Sequence, residues 1–222
     1  VVTASQRQQK SVRPQRDAQK TQQQILDAAE QEFARHGLNG ARLSAIAQRA
    51  KVTTATLHYY FENKESLYKV VLQRPVAEVQ AKLSLVDFDQ LAPDIALANM
   101  IRLAIQNEAE NPQRQMLWFQ EASQNQGIYF KECNIPDLHQ PLLQVLKRGM
   151  SEGVFRPLNP FLTLTHILSV CLFYFTVHEN WQHLTPEIDR LSPNLIEEHI
   201  QATITLILAG IKQPTEGENP AP

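Results

Sequence analysis

Between Arg42 and Lys64 the chain sets hydroxyl, imidazole and phenol side chains into a stretch otherwise patterned for packing. Thr53, Thr54, Thr56, His58, Tyr59 and Tyr60 supply hydrogen-bond donors and acceptors, and the cations Arg42 and Lys64 bracket them. Threonine hydroxyls and tyrosine phenols can bond phosphate oxygens, and a threonine methyl can lie against the methyl of thymine. Ser44 and Ala55 stand among them and complete the set expected to face double-stranded DNA. Tyr60 and the neighbouring Phe61 also suit a core, so the polar run has an apolar underside.

The elements that must position these groups are two short helices and a turn. Residues 43–50 and 54–61 each read as a short helix, with Lys51-Val52-Thr53 between them. Small residues allow helix backbones to cross closely, and Ala45, Ala47 and Ala50 supply them. Ile46, Val52, Leu57 and Phe61 are spaced to anchor the second helix at a fixed angle. That is the pattern of a helix-turn-helix whose second helix enters the major groove. Upstream, Ile25, Ala29 and Phe33 recur at four-residue spacing, with Leu26 beside them, from about residue 17. His36-Gly37 should stop that helix, since glycine readily takes the left-handed conformation. Downstream, Asn63 is a good cap for a fourth helix carrying Leu67, Val70 and Val71. Pro75 falls inside it and should kink it or make it end and restart.

Charge is unevenly spread. Residues 1–75 carry 12 Lys and Arg against 6 Asp and Glu, whereas residues 76–222 carry 9 against 17. A basic first part on an acidic remainder fits one polyanion-binding end. Residues 1–16, rich in Gln, Lys and Arg without apolar periodicity, read as a disordered basic arm. Two cysteines, Cys133 and Cys171, are too few for a disulfide framework and suit a reducing cytoplasm. The opening residues show no signal-peptide pattern. The apolar stretch 162–177 is broken by Thr163, Thr165, His166 and Ser169 and reads as too short and too polar for a membrane span.

The stretch VTTATLHYYFENKESL is similar to the recognition-helix signature of TetR/AcrR-type transcriptional regulators. Val52, Leu57, Tyr60, Phe61, Lys64, Glu65 and Leu67 carry the resemblance, with Thr53 in place of serine, and Gly37, Gly40, Ile46 and Ala47 fall in step upstream. GARLSAIAQRA and LYKVVL look most like the subgroup that includes the pyrimidine-utilisation regulator. The motif covers about residues 20–70. Three positions depart from it: Lys51 stands where the family has glycine at the turn, His58 where it often has tyrosine, and Arg42 where serine or threonine often caps the second helix. A lysine held at positive φ carries strain, and an arginine caps poorly.

The helical patterning, with no convincing strand, implies an all-α fold of about nine helices, and the resemblance agrees. An N-terminal helix-turn-helix domain, residues 17–63, precedes a larger helical domain for ligand binding and dimerisation, residues 64–213. A disordered tail, 214–222, would close the chain. It implies a homodimer on a palindromic operator, probing DNA under the control of a small-molecule effector, with no cofactor and no membrane. Further helices are expected over 93–111, 112–125, 136–152, 159–184 and 192–212. The helix over 159–184 is apolar nearly all round and must be buried on more than one side. The last helix carries an Ile-rich face suited to an intersubunit bundle. Candidates to line the effector pocket are Trp118, His166, Tyr174 and His178, with Phe119, Arg102 and Cys171 behind them.

Three competing readings have less support. An enzyme built on Cys171 with His166 or His178 lacks a nearby orienting acid or an oxyanion loop. Glu179 and His183 share a helix face, but nothing has strong zinc spacing. A helical adaptor of the same fold, binding a protein partner without a ligand, is the stronger alternative.

Overall fold

Apolar residues at three- and four-residue spacing commit nearly the whole chain to helix. The computed structural model describes residues 4–213, with side chains from Asp17 onward. Among the described residues there are nine α-helices: α1 (Ala4–Gly40), α2 (Leu43–Arg49), α3 (Thr54–Tyr60), α4 (Lys64–Leu83), α5 (Pro93–Glu110), α6 (Arg114–Asn125), α7 (Ile135–Ser151), α8 (Pro160–Gln182) and α9 (Pro193–Ile211). Short 3-10 turns sit at Phe88–Gln90 and Phe130–Glu132. The one β pairing among the described residues is an isolated antiparallel bridge between Phe155 and Lys212.

The helix breaks have local causes. Gly37 has φ 64°, so α1 changes course where the glycine was expected to stop it. A Cβ there would also collide with the Gln124 side chain. Asn63 Oδ1 accepts from Ser66 N at 2.8 Å, the capping expected of it. Asn159 does the same for α8, accepting from Leu162 N at 3.1 Å. Two expectations differ. Helical backbone begins at Ala4, within the segment expected to be a disordered arm; Gln, Lys, Arg and Ala are good helix formers even without an apolar face. α4 is one helix of 20 residues with Pro75 inside it; it does not end and restart. Residues 1–3 and the expected tail, 214–222, lie outside the described residues.

The chain forms two compact units. The first comprises the chain up to Arg74 together with Met116–Cys133. Its core holds Ile25, Ala29, Phe33, Ile46, Leu57, Leu67, Tyr68 and Leu117, all fully buried. The second comprises Pro75–Gln115 and the chain from Asn134 onward. There α5 is the hub for α7, α8 and α9, with Leu97, Ile101, Ile105, Cys171 and Phe175 at the centre. The boundaries therefore differ from a cut at residue 63: α4 and α6 each contribute to both units.

Two expectations about the second unit change. The isoleucines of α9 do not wait for a partner; Ile196, Ile200, Ile207 and Ile211 are buried within their own unit. The stretch read as too short for a span belongs to a helix of 23 residues, long and apolar enough by composition to cross a bilayer.

Candidate nucleic-acid interface and effector groove

Helix α2 ends in a Schellman turn. Val52 N donates to Ala47 O at 2.9 Å and Lys51 N to Gln48 O at 3.1 Å. This geometry needs a left-handed residue, and Lys51 takes it with φ 57°. The lysine that stands in place of the family's glycine thus leaves the turn's shape intact and stores strain in it. Thr53 then caps α3: its Oγ1 accepts from Thr56 N at 3.0 Å and lies 2.8 Å from Thr56 Oγ1. Beneath α3, Leu57 and Phe61 are buried beside Ile46 and Ala47 of α2.

The outward face is open. Thr54, Ala55 and His58 are exposed, and Tyr59 is 84% exposed. Tyr60 is half-buried, its ring edge-on to Tyr59 at 5.3 Å. Arg42 and Ser44 are exposed at the start of α2, and Arg42 makes no side-chain cap, as its chemistry predicts. The Arg42 backbone N–H donates instead to buried Glu32 at 3.3 Å. Lys64 is used differently from expectation. Its ammonium donates to Ala41 O at 3.1 Å and Asn39 O at 3.3 Å, bracing the corner before α2. Arg74 braces the other end of this stretch of α4, bonding Asp27 at 2.8 Å and facing Glu30 at 3.4 Å on α1. Sequence reasoning missed Arg74, although its place one residue before Pro75 marks where α4 passes to the second unit.

The expected pocket residues are not brought together. Trp118 and Phe119 belong to the first unit, where Trp118 packs edge-on to Phe130 at 5.1 Å and Phe119 is 53% exposed. Arg102 forms a two-pronged ion pair with Glu197 at 2.6 and 2.8 Å, which holds that carboxyl down near a pKa of about 2. His166 is exposed, whereas Cys171 and His178 are buried. The reason is angular: twelve residues turn a helix roughly 120° past its starting face, so His166 and His178 diverge. Burial pushes the Cys171 thiol up to about 12, far from a nucleophilic thiolate. His178 Nδ1 lies 2.6 Å from Phe175 O, to which it donates.

Tyr174 alone of the expected set lines the large groove of the second unit, about 880 Å³ along α8. Its hydroxyl donates to Arg190 O at 2.7 Å, and its ring stacks on His199 at 4.3 Å. His139 and His199 line the same groove, and burial lowers the pKa of both. Most of the wall is apolar: Phe161, Val170, Phe173 and Trp181 stand exposed there. His199 was legible as a polar residue set three after Ile196 and four before Thr203 on the buried face of α9.

A helix-turn-helix with an open polar face, followed by a larger helical unit, defines a DNA-binding transcriptional regulator. Residues 25–71 match the family model for bacterial regulatory proteins of the tetR family, and residues 93–207 match the tetracyclin repressor-like C-terminal domain. The chain belongs to the TetR family. It is 25% identical over 182 residues to the HTH-type transcriptional repressor SCO4008 of Streptomyces coelicolor, covering 79% of this chain and 85% of that one. It is 35% identical over 138 residues to the HTH-type transcriptional regulator RutR of Escherichia coli O157:H7, covering 61% of this chain and 65% of that one. The transcriptional regulator FadR from Bacillus subtilis, solved in complex with stearoyl-CoA, shares the fold with a TM-score of 0.67 and 21% identity, covering 85% of this chain and 98% of that one.

Proposed function

We propose that the chain is a homodimeric repressor that reads a palindromic operator through α3 and releases it when a small-molecule effector binds the second unit. The observation that carries this reading is the open face of α3, where Thr54, Ala55, His58 and Tyr59 stand clear of the rest of the chain. Arg42 and Ser44 flank it as phosphate contacts, and Thr53 serves as its cap. Two-fold symmetry would set the paired helices about 34–36 Å apart, one turn of the duplex.

The dimer reading is supported by α8. Phe161 and Phe173 are 68% and 63% exposed, on a helix whose other side is already buried in its own unit. A second copy laid against that side would remove the apolar surface from water and close over the groove that Phe161 and Phe173 wall. This accounts for the exposed apolar side chains on a helix long and apolar enough by composition to cross a bilayer. The effector reading is supported by likeness to FadR, which was solved with stearoyl-CoA. An effector that prefers one spacing of the two readers shifts DNA affinity by that preference alone. Arg74 ties the middle of α4 to α1, and Pro75 begins the second unit, so α4 is the natural carrier of the signal. This scheme has no catalytic step.

The test is a mobility-shift titration on the DNA upstream of the protein's own gene, with salt varied. Specific, salt-sensitive binding that is lost in Thr54→Ala with Tyr59→Ala supports the regulator. Non-specific binding alone, together with a stable protein complex, would transfer the reading to a helical adaptor.

A further inference from the structure

The side chains that α3 turns outward are of a restricted kind. Its sequence, TATLHYY, contains no Asn, Gln, Arg, Lys, Asp or Glu. It therefore lacks the forked groups that grip guanine, adenine or cytosine edges by paired hydrogen bonds. The exposed residues are Thr54, Ala55, His58 and Tyr59, at i, i+1, i+4 and i+5, which is one side of a helix. Thr53 and Thr56 turn their hydroxyls to each other and to the cap. What the first turn offers a base edge is the methyl and hydroxyl of Thr54 and the methyl of Ala55. Tyr59, further along, has the reach and the phenol for a phosphate oxygen.

We infer that Thr54 and Ala55 determine specificity by seating their methyl groups against the C5 methyls of thymine, so that each half-site presents A·T pairs under the first turn of α3. This rests on the regulator reading above and adds the kind of base that is read. Thymine alone among the four bases displays a methyl in the major groove, so an apolar contact there discriminates without any hydrogen bond. The complementary guanine-reading route is left to the His58 imidazole, which can make only a single hydrogen bond to a base edge, and to cations outside α3, of which Arg42 is exposed at the start of α2.

The test begins with the full chain selecting duplexes from a randomised library. Each thymine of the shared half-site is then replaced by deoxyuridine, which removes the C5 methyl and nothing else. One or two positions per half-site should lose about fourfold in affinity for each methyl removed. At those positions Thr54→Ser or Ala55→Gly should bind thymine and deoxyuridine operators alike. Circular dichroism of each variant separates this from a loss of fold, and the wild-type series stands without them. Deoxyuridine that is neutral at every position, with 7-deazaguanine weakening binding, would overturn the thymine inference and leave the regulator intact. A selection that converges on no sequence would overturn the regulator reading, and this inference with it.

Discussion

The Tyr68 hydroxyl donates to a carboxylate oxygen of Glu121 at 2.9 Å, and both side chains are fully buried. Glu121 also receives Asn125 Nδ2 at 2.7 Å and the Tyr129 N–H at 2.8 Å. One carboxylate therefore ties the first stretch of α4 to α6 and to the loop after it. Burial, and then this hydrogen bond, drive the tyrosine pKa up, so the phenol remains a donor throughout the ordinary pH range. Tyr68→Phe should lower stability by about 1–2 kcal/mol in urea denaturation. Glu121→Ala should cost about 3 kcal/mol or more, because it strands three donors at once. Equal effects from the two changes would mean that the carboxylate is not the hub.

Lys51 pays for the turn between α2 and α3 with a left-handed backbone. Lys51→Gly should raise stability by about 1 kcal/mol, the relief of strain outweighing the glycine's greater freedom when unfolded. A thermal melt that moves down on this change would show that the lysine side chain contributes more than its backbone costs.

Arg42 begins α2 without capping it. Arg42→Ser should add about 1 kcal/mol of stability through a side-chain cap, yet weaken operator binding. If the guanidinium neutralises one phosphate, the slope of log affinity against log salt should become shallower by about one. An unchanged salt slope would exclude a phosphate role.

His139 and His199 have pKa values lowered by burial. Below their ordinary value of about 6.5 the unfolded chain takes up protons that the folded one resists. Stability should therefore be fully present above pH 6.5 and decline as pH falls through the depressed folded values. His199→Phe, which keeps a ring against Tyr174, should flatten part of that decline below pH 6.5 in denaturant titrations. An unchanged pH profile would remove His199 from the account.

The reader was legible because it is a local structure. Schellman turn and anchors are fixed by residues within a few positions of one another, so Gly37, Lys51 and Asn63 announce their geometry in the sequence, whereas Thr53, expected to face DNA, spends its hydroxyl on capping α3. The beginning of α1 was not legible, since apolar periodicity reports a packing face and residues 4–16 carry none. The effector candidates fared worst. Spacing on α8 gave Tyr174 but could not foretell that Arg102 would be taken up by Glu197, or that His139 from α7 and His199 from α9 would share its groove. Those facts depend on which distant helix arrives beside each residue. The split of α4 and α6 between two units was hidden for the same reason.

Because Met116–Cys133 folds back onto the first helices, the DNA-reading part is discontinuous along the gene. A fragment cut after Arg74 would lose Glu121 and Tyr129, and with them the hydrogen-bond acceptor and the ring against Tyr68. Anyone grafting this reader onto another sensor would have to transplant both pieces, and a recombination event crossing only once between them would leave a protein whose halves no longer match.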